Sequence, residues 1–217
     1  MPRTAAASAT PDQTSIDDLL ARAPGAPRVP TDVRVLSTEV LRWEGYRQEM
    51  HVDWRGNVRT GIGHRLPSAV AALALPWRHR TTGQPATAAE VRAAFEQVRA
   101  QGAGHRAPAH QRASDLVLPA GYPAVLATRR LERDLLPALR RLCPRFDDFP
   151  LPAQRALVEM SFNLGTRALR RFHNLVAACN RWDFAAAADH CLRRSCGVAR
   201  NIATRDLFRK AAGAKFV

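Results

Sequence analysis

Glu44–His64 reads EGYRQEMHVDWRGNVRTGIGH. A glutamate closes an amphipathic segment, an aspartate follows nine positions later, and a Gly56-Asn57 turn leads into Thr60-Gly61-Ile62-Gly63-His64. Met50, Val52, Trp54, Val58 and Ile62 alternate irregularly around that turn, which predicts a small antiparallel hairpin or sheet. The glycines let backbone approach a bulky polymer closely. Taken singly, Glu44 reads as a solvated helix end and Asp53 as an ordinary turn aspartate. Taken together, two carboxylates on neighbouring elements of one hairpin are the pair that cleavage of a glycosidic bond requires.

Working outward, VRVLSTEVLRWEG places Val33, Leu36, Val40, Leu41 and Trp43 on one helical stripe, and Gly45 stops that helix with Glu44 at its end. On the N-terminal side, residues 1–30 are rich in Ala, Thr, Ser and Pro and read as a flexible tail in which TSIDDLLAR makes a turn or two of helix. Beyond the hairpin, residues 67–117 form a helical and basic insert. It holds a short helix stopped by Pro76, a helix capped by Thr87 with Glu90 in the capping-box position, and the basic loop AGHRAPAHQRAS. Residues 118–142 read as a linking helix with leucines at 131, 135, 139 and 142, kinked at Pro137. Residues 143–217 hold the helical segments LPAQRALVEMSFNLG, ALRRFHNLVAACNR, WDFAAAADHCLRR and ARNIATRDLFRKAA. The expected class is α+β, mainly α: a small sheet-bearing lobe (31–66) joined by a long helix to an all-helical lobe, as one domain over 31–217.

The chain has 217 residues, with 33 Lys and Arg against 19 Asp and Glu, a net charge of +14. Such a balance attracts polyanions: nucleic acid, an acidic membrane face or a carboxylate-bearing cell wall. The N-terminus lacks the apolar run of a secretory signal, and no stretch approaches the roughly 20 apolar residues of a membrane span. Export would then need another route from the cytoplasm. Cys143, Cys179, Cys191 and Cys196 lack zinc-site spacing and read as free thiols, with no metal and no cofactor expected.

Three ordered blocks carry a resemblance. The first is the glutamate-glycine pair with its aspartate nine residues on and GIGH ending twenty residues on. The second is ALVEMSFNLG (156–165) followed by LVAACNRWDFAAAA (175–188), and the third is GVARNIATRDLF (197–208). This pattern resembles the bacteriophage-type lysozymes, the muramidases of glycoside hydrolase family 24, over about residues 31–66 and 118–210. The resemblance implies a lysozyme-like fold. It makes Glu44 the proton donor to the leaving oxygen, and Asp53 the group that serves the attacking water, with inversion. Arg200 would approach Glu44 across the cleft, and Phe162 and Asn163 would line the sugar groove. Phe162 also reads as a core aromatic, and His64 as a structural, neutral imidazole.

One departure stands inside the motif. Where the family has a water-holding threonine, five residues before the histidine, this chain has Arg59, and Thr60 follows it. In a strand a single step turns the side chain to the opposite face. Either a bulge returns Thr60 to the cleft as the third catalytic residue, or Arg59 occupies the water site beside Asp53.

The implied activity is hydrolysis of the β-1,4 bond between N-acetylmuramic acid and N-acetylglucosamine in bacterial peptidoglycan. The protein would act at the wall or periplasm as a phage endolysin or a delivered antibacterial effector, as a monomer. A secretion machinery and an immunity protein are the partners such an effector implies. One alternative is a catalytically weak peptidoglycan-binding domain. Another is a basic nucleic-acid-binding protein, disfavoured because zinc-finger, RRM and KH signatures are absent and aromatics are 6%.

Overall fold

The computed structural model describes residues 16–22, 31–102 and 114–214. In chain order its helices are α1 (Ile16–Ala21), α2 (Thr31–Glu44), α3 (Ala69–Leu73), α4 (Ala88–Ala100), α5 (Tyr122–Arg130), α6 (Leu136–Leu142), α7 (Leu151–Leu164), α8 (Thr166–Leu169), α9 (His173–Asn180), α10 (Phe184–Asp189) and α11 (Val198–Ala212). Strands β1 (Arg47–Val52), β2 (Val58–Gly61), β3 (His64–Arg65), β4 (Arg78–His79) and β5 (Leu116–Val117) form one antiparallel sheet in the order β3-β2-β1-β5-β4. The α+β, mainly α class is therefore what the chain adopts. Among the described residues no helix is long and apolar enough to cross a membrane.

The hairpin forms because Asp53 builds its own turn. One carboxylate oxygen accepts the backbone N–H groups of Arg55 and Asn57, each at 2.9 Å. Asp53 N–H donates to the Asn57 carbonyl and Gly56 N–H to the Asp53 carbonyl, again at 2.9 Å. Gly56, at φ +82°, takes the left-handed conformation that a side chain would penalise. Trp54, one of the residues of the irregular alternation, lies at this turn and is exposed.

Two apolar cores share the chain. The larger joins Val33, Leu36 and Val40 of α2 to Leu157, Val158 and Met160 of α7, Phe184 of α10 and Phe208 of α11. The smaller lies under the sheet, where Met50, Val52 and Val58 meet Trp77, Val91, Phe95, Val98, Leu116 and Leu118. Helix α5 serves both: Ala124, Val125 and Ala127 face the first core and Leu126 the second.

Three boundaries differ from the sequence reading. The described residues of the insert, 67–102 and 114–117, make up about half of the smaller core and supply β4 and β5, with Glu49 on the free edge of β1 pairing with Val117. Helix α1, assigned to the tail, buries Leu19 and Leu20 in the larger core; the remainder of the tail, 1–15 and 23–30, and the basic loop over 103–113 lie outside the described residues. The linking helix starts at Tyr122, after Gly121, and its irregularity is a π-helical turn, Leu131–Leu135, in which Leu136 N–H reaches back to the Leu131 carbonyl. Pro137 causes it: the ring lacks the N–H that the Arg133 carbonyl would accept.

The capping box at α4 is present, with Glu90 N–H donating to Thr87 Oγ1 and Thr87 N–H to Glu90 Oε2. Cys143, Cys179 and Cys191 are buried free thiols, and burial pushes the Cys143 thiol up to about 11. Cys196 is only partly covered.

Candidate functional site

The C-terminus of α2 and the end of α7 meet at Gly63 in the β2–β3 turn, and the first turn of α11 reaches Glu44 through Arg200. Glu44 is the last residue of α2, and the glycine beside it, at φ +71°, sends the chain into β1. A Cβ built on Gly63 would stand 3.1 Å from Glu44 Oε2, 3.5 Å from the Phe162 ring and 3.9 Å from Arg59 Nη1. Gly63 is itself at φ +64°. A side chain here would strain the backbone and press on Glu44. Gly63→Ala is expected to cost about 1–2 kcal/mol, a fall of roughly 2–8 °C in Tm for a chain of this size. Thermal unfolding followed by circular dichroism measures it; an unchanged Tm contradicts the tight packing.

Arg59 ties the second carboxylate to the same point. Its Nε donates to Asp53 Oδ2 at 2.6 Å and its Nη1 to the Gly63 carbonyl at 3.0 Å. Burial pushes the Asp53 carboxyl up, but the N–H groups of Asn57, Arg59 and Arg55 outweigh it and hold the group below the usual carboxylate range. Asp53 is ionised at neutral pH.

Thr60 does not join them, so the sequence assignment of Thr60 as a catalytic residue is corrected. The β1–β2 ladder is irregular between Arg47 and His51, and the extra residues are on β1. Strand β2 keeps its alternation: Val58 and Thr60 are buried on one face and Arg59 points to the other. Thr60 is fully buried, its hydroxyl 3.5 Å from the Gln48 carbonyl. Of the two outcomes left open by the motif, Arg59 beside Asp53 is the one the chain adopts.

On the helical side, Arg200 Nη2 donates to Glu44 Oε1 at 2.7 Å, and its Nε donates to Glu159 Oε1. Glu159 is almost fully buried and accepts Arg193 Nη1 on both oxygens, at 2.9 and 2.8 Å. Thr204 Oγ1 donates to Glu159 Oε2 at 2.9 Å and accepts from Arg193 Nη2 at 2.7 Å. The Arg193 side chain has no exposed area. Burial works against a charge on Arg200, but Glu159 and Glu44 more than compensate and raise its pKa. The result is a fixed cation beneath Glu44.

Phe162 is a core residue, 4% exposed, and forms a wall rather than an open groove surface. Its ring edge faces Gly63, and the Arg130 guanidinium lies over its face at 4.2 Å. Asn163 is exposed at the end of α7 and its Oδ1 accepts from Arg193 at 3.3 Å. His64 is half-buried; burial, with Arg130 beside it, holds the imidazole below its ordinary value, so it is neutral at pH 7. Glu44 and Arg200 are thus in direct contact, Asp53 is linked to them through Arg59 and Gly63, Phe162 packs against Gly63, Asn163 bonds to Arg193 of the supporting network, and Thr60 is excluded. Glu159 and Arg193 escaped the sequence reading. The usable signal was one acid inside the apolar run ALVEMSF.

The arrangement supplies a carboxyl group held by one cation, an ionised carboxylate held by a second, and a glycine turn that the first carboxyl packs on and the second cation bonds to. Sequence comparison with known protein families and with curated proteins finds no match.

Proposed function

We propose that the protein is a muramidase, cleaving the β-1,4 bond between N-acetylmuramic acid and N-acetylglucosamine in bacterial peptidoglycan. The observation that carries this reading is that the Gly63 turn links the two carboxylates: Glu44 packs directly against it, and Arg59 joins Asp53 to its carbonyl. The resemblance of the three sequence blocks to the phage-type lysozymes supports it. Glu44 gives a proton to the leaving glycosidic oxygen. Arg200 stabilises the carboxylate that Glu44 then becomes. Asp53 orients the attacking water and accepts its proton, on the face of the sugar opposite Glu44. Water must enter beside Arg59, so the Arg59 guanidinium has to swing off Asp53, or share it, when the glycan binds. The net charge of +14 draws the protein to the anionic wall, and clearing should weaken as salt rises. The same chemistry suits an endolysin or a delivered effector.

A second reading has its own observation. Arg59 sits where water would be activated, with Nε 2.6 Å from Asp53. If the guanidinium stays, the protein binds wall glycan and cleaves it slowly.

Clearing of purified peptidoglycan, read as loss of turbidity, separates the two. Asp53→Asn is the sharper control than Asp53→Ala, because an amide oxygen still accepts the Arg55 and Asn57 N–H groups that shape the turn. Wild type should clear the suspension and Asp53→Asn should not. Equal clearing removes Asp53 from the mechanism. The same variant has a stability signature. The folded-state pKa of Asp53 lies below its unfolded value, so its stabilisation is complete above the unfolded pKa and disappears as pH falls through the folded one. Wild type should lose more stability than Asp53→Asn across that acidic window.

A further inference from the structure

A cleft of about 580 Å³ adjoins the Gly63 turn, lined by Arg59, Arg65, Arg129, Arg130, Arg133 and His64, with Leu126, Gly63 and one acid, Asp134. Five guanidiniums share one concavity with a single acid among its walls, and Glu44, beside the cleft, attracts Arg130 more than Arg59 repels it. Among the described residues no carboxylate lies within ion-pair distance of Arg65, Arg129, Arg130 or Arg133, while Arg59 and Arg200 nearby are both paired. The lining is not an accident of one flexible surface. Arg130 is packed on Phe162 and donates to its carbonyl at 3.3 Å. Arg130 immediately precedes the π-helical turn, and Arg133 and Asp134 lie within it, so the turn itself supplies part of the lining. Arg65 comes from β3, on the opposite wall.

We infer that this arginine cleft is a specificity site for the carboxylates of the peptide stem carried by the muramic acid of the glycan. The inference rests on the muramidase reading. Volume and chemistry agree: the cleft falls in the size range of small-ligand sites, and the guanidinium fork matches a carboxylate by paired hydrogen bonds. Position selects the source. The cleft shares Arg59 and Gly63 with the carboxylate pair, so its occupant lies within a few bonds of the sugar at Glu44. In peptidoglycan the anion at that distance from the ring is the stem peptide attached to it. Free phosphate offers similar oxygens without the sugar.

The test is calorimetric binding to the full chain. Ligands are the disaccharide of N-acetylglucosamine and N-acetylmuramic acid bearing a tetrapeptide, the same disaccharide without peptide, and inorganic phosphate. The disaccharide is a product of the proposed reaction, so it survives the measurement. Binding should be about tenfold or more tighter with the peptide than without, and tighter at low salt. Arg129→Gln with Arg133→Gln, and separately Arg65→Gln, should shrink that ratio towards one. All three side chains are at least partly exposed, so the variants should fold, as circular dichroism checks. A ratio near one in wild type, or a ratio that the variants retain, overturns the assignment. Phosphate binding with no preference for the peptide overturns it in favour of a phosphate site. Peptide-dependent binding in a protein that clears no wall supports the cleft and counts against the muramidase reading alone.

Discussion

Glu44→Gln is expected to lower the rate of wall clearing by about 10²- to 10⁴-fold, the usual loss when a general acid is removed. The substitution is nearly isosteric. An amide oxygen still accepts the Arg200 N–H at the position Glu44 Oε1 holds now, and the Gly63 contact is unchanged in size. What disappears is a proton that can be given to the leaving oxygen. Structure should therefore survive while turnover does not: circular dichroism, Tm and binding of an uncleaved glycan should match wild type. The loss should fall on kcat, because the interaction removed develops only as the bond breaks. Clearing by Glu44→Gln within a few-fold of wild type would dismiss Glu44 as proton donor.

The largest effect on stability is expected at Glu159→Gln. Glu159 and Arg193 are both buried, and Glu159 also receives Arg200 and Thr204. Neutralising the acid leaves the Arg193 charge without a counter-charge in the core, which costs about 3–5 kcal/mol. For a domain of this size that is a fall of roughly 6–20 °C in Tm. The companion variant Glu159→Met with Arg193→Met should recover part of the loss, since neither charge is then stranded. Activity should not follow stability in that double variant. Arg200 would keep Glu44 but lose its second anchor, so turnover should remain depressed after Tm has partly returned. A change in Tm below about 2 °C for Glu159→Gln would contradict the picture of a closed, mutually satisfied network.

What could be read from the residues, and what could not, follows from the range of the interactions. The hairpin was legible because its causes are local: Gly56-Asn57 turns the chain and Asp53 caps the turn within four residues. The capping box at Thr87 and Glu90 and the apolar stripe of α2 were legible for the same reason. Strands β4 and β5 were not. Each has two residues and exists only through distant pairing, Glu49 with Val117 and Arg78 with Val117. No periodicity can accumulate over two residues. Helix α1 was half legible: its helical turns could be read, but not the core that buries Leu19 and Leu20.

The site divides along the same line. Glu44 and Asp53 were nameable because nine residues of chain separate them in one motif. The rule that one step in a strand reverses a side chain framed the Arg59 and Thr60 question. Only the placement of the irregularity on β1 rather than β2 decided it. Glu159 and Arg193, 34 residues apart, have no local signature as a pair. The arginine cleft draws on β2, β3 and α5 and the π turn, so its charge was visible only as part of a net +14.

The most direct measurement is identification of the ends produced when wild-type protein digests purified peptidoglycan, by mass spectrometry of the soluble fragments after borohydride reduction. Hydrolysis by a proton donor and a water-directing carboxylate predicts fragments terminating in reduced N-acetylmuramic acid. Fragments ending in an anhydro sugar, cleavage confined to peptide bonds, or no soluble glycan at all would contradict the joint action of Glu44 and Asp53 on water.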